Sequence, residues 1–211
     1  MSKVSPAVVK RLPRYRRLLE ELKGKDVVRI SSEKLGEMAG CTASQVRQDL
    51  NNFGGFGSQG YGYNVDALLD RLGEILGLEN HFTMVVVGVG NLGRAITNFI
   101  NSYDSEFEIK AIFDVSPDET GGTVCGLKVM DAELLGEYLE NNATDIGVIT
   151  VSGENAQGVA DTLAAGGIKG IWNFTISELK IPDGIAIQNV RISDSLHTLS
   201  FYISSAPNVQ S

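Results

Sequence analysis

Two folded units of different class are what the sequence predicts: a small helical unit over residues 1–80 and a doubly wound α/β body over 81–190, with a last helix in 191–211. Three observations carry this. Met84–Val87 is a short unbroken apolar run that enters Gly88-Val89-Gly90-Asn91-Leu92-Gly93, and a helical pattern (Leu92, Ile96, Phe99, Ile100) follows. Strand, glycine turn and helix in that order are the context in which G-x-G-x-x-G marks a dinucleotide-binding turn. Apolar strand runs and helical patterns then alternate to residue 189, as a parallel sheet flanked by helices requires. Finally, charge divides the chain. Residues 1–50 hold eleven Lys/Arg against six Asp/Glu, a net of +5, which leaves −13 on the other 161 residues of a chain whose formal net charge is −8. A basic arm on an acidic body suits a polyanion at one end only.

At 211 residues each unit is long enough to bury a core of its own. No apolar run approaches the ~20 residues of a membrane span. Met-Ser-Lys-Val-Ser-Pro lacks the apolar stretch of a signal peptide. The two cysteines, Cys41 and Cys125, fall in different units, which argues against a disulfide framework and for a reducing cytoplasm. No membrane and no metal site is expected.

Taken in order, Ser5-Pro6 is a helix start, a capping residue followed by proline. Val8, Leu12, Tyr15, Leu19 and Leu22 then fall on one helical face, with Pro13 expected to kink the helix or to begin a second one. Arg11, Arg14 and Arg16 crowd its other faces as candidate phosphate contacts. Val27–Ile30 is a short strand candidate. Ser31 or Ser32 caps a helix through Leu35 and Met38 that ends at Gly40. Thr42-Ala43-Ser44-Gln45 is a capping box, with Gln45 reaching back to Thr42.

The helix opened by that box, Ala43–Phe53, places Val46, Leu50 and Phe53 on one side and Ser44, Arg47, Gln48 and Asn51 on the other. Arg reads guanine, and Gln or Asn reads adenine, through paired hydrogen bonds in the major groove. Two short capped helices joined at Gly40-Cys41 have helix-turn-helix proportions. Gly54–Tyr63, with five glycines and three aromatics, reads as the β-hairpin wing of a winged helix, and Ser58 and Gln59 at its tip join the candidate contacts. The predicted DNA-binding set is therefore Arg11, Arg14, Arg16, Ser44, Gln45, Arg47, Gln48, Asn51, Ser58 and Gln59. Asn64 caps a helix over Val65–Leu76 that Gly77 closes.

In the body, Gly88 allows the tight turn, Gly90 the approach of a pyrophosphate and Gly93 close packing of helix on strand. Phe107–Phe113 is the second strand and ends on Asp114, 24 residues after Gly90, where a carboxylate accepts from ribose hydroxyls and repels a 2′-phosphate. NADH and NAD+ are thereby favoured over their phosphorylated counterparts. Further elements are a helix near Ala132–Glu140, a strand at Ile146–Val151, a helix at Glu154–Ala165, and strands at Ile168–Asn173 and Ile185–Asn189. Ser152, Asn173 and Phe174 follow strand ends that border the glycine turn. Arg191–Ser205 holds a helix capped by Asp194 or Ser195 and apolar on more than one face. It either completes its own domain or crosses to a partner subunit, and a homodimer that exchanges it fits a helix-turn-helix protein reading a two-fold site.

No acid/base stands ready for hydride chemistry. His81 precedes the first strand of the body, His197 lies on the apolar C-terminal helix, no S-x-x-x-Y-x-x-x-K pattern follows the fourth strand, and no domain remains to hold a substrate. The cofactor is bound as a ligand, and no catalytic residue is assigned. An NAD-dependent oxidoreductase with a helical N-terminal domain, or a CoA-binding module used for assembly, are the competing readings.

Together these stretches make the chain similar to the redox-sensing transcriptional repressor Rex family over nearly its whole length. The resemblance rests on Thr42–Gly57, Gly60-Tyr-Gly-Tyr, Gly88-Val-Gly-Asn-Leu-Gly, Phe113-Asp114 and Gly170-Ile-Trp-Asn-Phe. It implies a homodimer that binds operator DNA when NADH is scarce and is released by NADH, while NAD+ competes without that effect. It also implies a C-terminal helix swapped toward the partner's nicotinamide site. Some relatives carry an acid and an aromatic at the start of that helix and a tyrosine at the end of the fingerprint helix. Here these positions are Arg191, Ile192 and Phe99. An acid–tyrosine–arginine relay ending on Arg17 therefore lacks its first two members unless Asp194 substitutes, and Phe99 and Ile192 complete the predicted cofactor set.

Overall fold

A computed structural model describes residues 4–56, 61–103 and 105–205. They divide into two compact units, Met1–Asn80 and His81–Ser211.

Among the described residues, the first unit has four α-helices, a closing 3-10 turn at Leu78–Asn80 and a two-residue ladder. Helix α1 (Pro6–Lys23) is capped by Ser5, whose hydroxyl accepts from the Ala7 amide. It runs through Pro13 as one helix, so the proline does not begin a second one. Leu12 and Tyr15 on either side of the proline are fully buried, and that packing outweighs one lost backbone bond. Strand β1 is only Arg29–Ile30. Helix α2 (Ser32–Ala39) has Ser31 as its cap and ends at Gly40 in the left-handed conformation, φ 67°. Helix α3 (Ala43–Asn51) is capped by Thr42 and stops two residues short of Phe53, with Asn52 as C-cap. A side chain at Gly36 would stand 2.7 Å from the Cys41 carbonyl, so glycine there lets the turn fold back against α2. Strand β2 (Tyr63–Asn64) and helix α4 (Val65–Leu76), capped by Asn64 and closed by Gly77, complete the unit. Tyr15, Leu19, Leu35, Val46, Leu50, Leu68 and Leu72 form its core.

The expected wing hairpin differs in its pairing. Strand β2 runs antiparallel to β1, with Ile30 opposite Tyr63, so its partner lies before the helix pair and not in residues 54–56. Phe56 packs half-buried against the core. Ser58 and Gln59 lie outside the described residues.

The second unit is a seven-stranded sheet. Its strands are β3 (Phe82–Val87), β4 (Phe107–Asp114), β5 (Thr123–Val124), β6 (Leu127–Asp131), β7 (Ile146–Ile149), β8 (Gly170–Asn173) and β9 (Ala186–Asn189), in the order β5-β6-β4-β3-β7-β8-β9. Every pairing is parallel except β5 with β6. Without the β5 edge this is the doubly wound order 3-2-1-4-5-6, a Rossmann-like sheet whose direction of winding reverses between β3 and β7. The β5–β6 hairpin was not anticipated. Its turn, Cys125-Gly126, has φ of 49° and 81°, as a tight two-residue hairpin requires. Helices α5 (Asn91–Tyr103), α6 (Leu135–Asn141) and α7 (Gly153–Ala165) flank the sheet.

Helix α8 (Ile192–Ser205) begins earlier than expected, so Asp194 and Ser195 lie inside its first turn and are not its cap. All fourteen of its residues are exposed, including Leu196, Leu199, Phe201, Tyr202 and Ile203. It does not complete its own unit's core. No described helix is long and apolar enough to cross a membrane, and both cysteines are free thiols.

Candidate functional site

The end of β3 turns into α5 at the point where the sheet reverses. Gly88 has φ 104°, and a Cβ there would stand 2.7 Å from the backbone of Thr150 and Val151, so β3 and the β7 exit touch through glycine alone. Gly93 is tighter still, because its Cβ would meet the Gly88 carbonyl at 1.9 Å and Thr150 Oγ1 at 2.8 Å. Thr150 Oγ1 donates to the Gly88 carbonyl at 2.6 Å and pins the turn from the next strand. Gly90 differs from both: nothing lies within 4 Å of where its Cβ would be. Val89 is buried beneath the turn, while Asn91 and Leu92 are exposed at the start of α5, where the first N–H groups of any helix lack intrahelical partners.

Asp114 is brought to the same turn. Its carboxylate is buried and accepts from the Val89 amide (2.5 Å) and the Ser116 amide (2.7 Å), so the second strand holds the glycine loop by a side chain. Gly88, Gly90, Asp114, Ser116, Glu119, Thr150 and Ser152 line one crevice of about 290 Å³. Arg94 on α5 is ion-paired with Glu119 beside it. An open glycine, a carboxylate and a helix start around one crevice fit the pyrophosphate and ribose of a dinucleotide. Thr150, Glu119 and Arg94 were missed by the sequence reading. Only the position of Thr150 at a strand exit signalled it.

Other predicted residues are placed elsewhere. Phe99 stands two turns along α5, about 12 Å from the glycine turn at 1.5 Å per residue. It lines a separate apolar groove of about 530 Å³ with Ile100, Phe107, Trp172 and Ile187. Ile192 lies on exposed α8 and lines neither cavity. Within one chain, then, the nicotinamide pair is not assembled with the fingerprint. Of the strand-end residues, Ser152 reaches the crevice. Phe174 stacks at a tilt on Trp172 with ring centroids 4.6 Å apart, and Asn173 is fully buried as a hydrogen-bonding hub. His81 and His197 are exposed. Among the described residues no group of three or more His, Cys, Asp or Glu gathers as metal ligands.

In the helical unit, α3 presents Ser44, Arg47, Gln48 and Asn51 to solvent and buries Val46, Asp49 and Leu50. Arg47 Nη1 donates to Ser32 Oγ on α2 at 2.9 Å. Arg14 is exposed over the α2–α3 turn, its guanidinium 3.5 Å from where a Gly40 Cβ would stand, and Arg16 pairs with Glu20 at 3.1 Å.

Two members of the predicted set have different partners. Arg11 donates to Asp49 through Nε (2.6 Å) and Nη2 (2.7 Å), and Gln45 donates to the same carboxylate at 2.8 Å and does not reach back to Thr42. Only half of the capping box forms, the Gln45 amide donating to Thr42 Oγ1 at 3.1 Å. Tyr15 Oη, itself 3.5 Å from Cys41 Sγ, also donates to Asp49, at 2.8 Å. Burial alone would raise the Asp49 pKa. Arg11, then Tyr15 and Gln45, reverse that and hold the carboxyl below its ordinary value. The same contact raises the Arg11 pKa, and burial, then Cys41 and Asp49, push the Tyr15 phenol up. A buried carboxylate requires such partners, and Arg11 and Gln45 are committed to it.

Comparison with known proteins agrees with both halves. Residues 3–51 match a family model described as a putative DNA-binding protein N-terminus, and residues 79–177 match one described as a CoA binding domain. The chain is 50% identical over 200 residues to the redox-sensing transcriptional repressor Rex of Thermoanaerobacter pseudethanolicus, covering 95% of this chain and 89% of that one. It is also similar to crystal structures of RSP, a Rex-family repressor. The complex with β-NAD+ and operator DNA has a TM-score of 0.90 at 49% identity, covering 97% of this chain and 94% of that one. The complex with β-NADH has a TM-score of 0.88 at 46% identity, covering 97% and 96%. These relatives are repressors, not enzymes. The resemblance drawn from the sequence motifs therefore holds, and the chain belongs to the Rex family of redox-sensing transcriptional repressors.

Proposed function

We propose that this chain is a homodimeric, cytoplasmic repressor that grips double-stranded operator DNA and lets go when NADH fills the body's crevice. One observation supports this above the rest. The chain combines an exposed Ser44–Arg47–Gln48–Asn51 face on a short capped helix with a glycine crevice closed by Asp114. It does so in a family with a member crystallised on operator DNA with NAD+ and, separately, with NADH.

In this reading α3 enters the major groove. Arg47, Gln48, Asn51 and Ser44 face base edges, and Arg14 and Arg16 face phosphates. Arg11 and Gln45 act behind them, through Asp49. Gly90 admits the pyrophosphate, Asp114 accepts from the ribose, and Asn91 and Leu92 offer helix-start amides. The dinucleotide is a ligand and not a reactant. It moves the DNA equilibrium only by binding the two conformations of the dimer unequally.

The dimer rests on α8. A fully exposed helix carrying Leu196, Leu199, Phe201, Tyr202 and Ile203 is costly in water, and the same unit leaves an apolar groove open beside Phe99 and Trp172. A second copy of this chain resolves both, with α8 of one subunit laid on the partner's dinucleotide unit. That exchange would bring Ile192 of one subunit toward Phe99 of the other, which the single chain does not.

The test is operator binding with NADH and NAD+ side by side, on a duplex selected from a randomised library by the wild-type chain. NADH at micromolar levels is expected to weaken the complex, and NAD+ to compete with NADH without that effect. CoA is the control ligand, given the family model matched by the body. Tighter binding of CoA than of NADH in a calorimeter would overturn the reading.

A further inference from the structure

Arg191 stands between β9 and α8, at the root of the exposed helix. Its side chain is only 16% exposed and is spent on one loop, the stretch that follows β8. The guanidinium donates to the Thr175 carbonyl, to the Ser177 carbonyl at 3.1 Å and to Glu178 Oε1 at 3.3 Å. Two of those three acceptors are backbone, so the clamp reads the position of the chain and not the identity of its side chains.

The clamped loop is held from beneath and from the side. Fully buried Asn173 accepts from the Thr175 amide and hydroxyl (2.9 Å each) and donates to the Ser177 carbonyl (3.2 Å) and to Asn189 Oδ1 at the end of β9 (2.7 Å). Ser177 Oγ donates to the Gly153 carbonyl at 3.2 Å. Contact there is close, because a Cβ on Gly153 would stand 2.9 Å from that hydroxyl. Gly153 is the first residue of α7, and the residue before it, Ser152, stands at the N-cap position without a side-chain capping bond and lines the glycine crevice. From Ser152 the chain passes directly into Gly153, and hydrogen bonds run on from the Gly153 carbonyl through Ser177 to Arg191, and so to the first turn of α8. Beyond that root no residue of α8 is buried, so the direction in which the helix leaves the sheet is fixed at its base.

We infer that Arg191 is a positioning residue that couples occupancy of the dinucleotide crevice to the direction of α8, and through α8 to the DNA response. A ligand pressing on Ser152 and the α7 N-terminus shifts the 175–178 loop. The guanidinium, bound to two of that loop's carbonyls, carries the shift to the helix root. Arginine suits the task because its planar fork holds several acceptors at once in fixed geometry. The inference rests on the NADH-responsive reading above and adds the residue through which the response travels.

The experiment measures two quantities on the full-length chain and its variants: NADH affinity by calorimetry, and the ratio of operator affinities without and with saturating NADH. Arg191→Ala is expected to bind NADH within about 3-fold of wild type while its operator ratio falls about 2- to 30-fold toward one, the range over which mutations along a coupling network act. Arg191→Lys should recover part of the ratio through its single ammonium. Ser177→Ala, which removes only the hydroxyl bond to Gly153, should lower the ratio in the same direction. It carries the test if Arg191→Ala fails to fold. A wild-type ratio of one overturns the NADH reading and this inference with it. A normal wild-type ratio that either alanine variant leaves unchanged overturns the inference alone, as does loss of NADH binding in step with the ratio.

Discussion

Arg11 and Asp49, 38 residues apart, meet through two nearly equal hydrogen bonds of 2.6 and 2.7 Å, a forked pair whose carboxylate is fully buried and whose guanidinium is one-third exposed. The bond ties α1 to the inner face of the helix that presents Arg47 and Gln48. Removing the acid takes from Arg11, Tyr15 and Gln45 the one carboxylate they share. Asp49→Ala is therefore expected to destabilise the N-terminal unit by about 3–5 kcal/mol, and Arg11→Ala by about 1–3 kcal/mol because Tyr15 and Gln45 still serve the carboxylate. Thermal melts followed by circular dichroism decide this. Losses below 1 kcal/mol for both variants would mean the pair is not a support.

Acid should act through the same carboxylate and one other. Asp145 accepts from Lys169 Nζ (2.6 Å) and from Thr83 N and Oγ1 (2.9 Å each), tying β3 to the stretch before β8, and Lys169, then Thr83, hold its carboxyl below the ordinary value. A carboxyl whose folded pKa lies below its unfolded value contributes stability above the unfolded value, near 4, and loses it as pH falls through the folded one. The melting temperature should therefore be level between about pH 5 and 7 and drop below about pH 4. Asp145→Asn should melt lower at neutral pH and show a shallower acid drop. An unchanged acid limb in that variant rejects the assignment.

What was legible in the sequence was local chemistry. Ser5, Ser31, Thr42 and Asn64 each cap the helix their neighbours predicted, and Gly40 and Gly77 end theirs in the left-handed conformation. The strand–glycine–helix order followed by a second strand is a β–α–β crossover, which lays β4 beside β3 and so brings the Asp114 carboxylate to the Gly88-Val89 turn. Partnerships made by tertiary packing left no periodic trace. Nothing near Arg11 announces Asp49, and Gln45 looked like a capping residue because the T-x-x-Q spacing is the same whichever partner it takes. The β5–β6 hairpin escaped because strands of two and five residues around Cys125-Gly126 are too short for alternation to register. Phe99 shares a helix with the fingerprint but stands two turns along it, facing the apolar groove and not the crevice.

Base reading and phosphate holding should separate on α3 and α1. Arg47 is exposed on α3 and braced by Ser32 Oγ, so Arg47→Ala is expected to cost about 1–3 kcal/mol at one base pair and to relax preference there. Arg14→Ala should weaken every sequence alike and reduce the salt slope by about one, whereas Arg11→Ala should leave the slope near wild type. Competition binding over a set of single-base operator variants at several salt concentrations reads both. An Arg11→Ala slope as low as that of Arg14→Ala would show that the Asp49 pair opens on DNA.

The three fingerprint glycines should fail in different ways. At Gly93 an alanine methyl would overlap the Gly88 carbonyl, 1.9 Å away, and neither backbone can retreat without parting α5 from β3. Gly93→Ala should therefore cost upwards of about 3 kcal/mol of body stability before any ligand is considered. Gly90→Ala meets nothing within 4 Å and should melt within about 1 kcal/mol of wild type, while its methyl on the crevice wall keeps the pyrophosphate from approaching the backbone and lowers NADH affinity at least ~10-fold. Asp114→Ala combines both effects. It strips the Val89 amide of its acceptor, costing about 1–3 kcal/mol, and removes the ribose partner. Melting and NADH titration on the three variants distinguish a packing glycine from a ligand glycine. A Gly90→Ala protein that binds NADH as tightly as wild type would move the pyrophosphate off this turn.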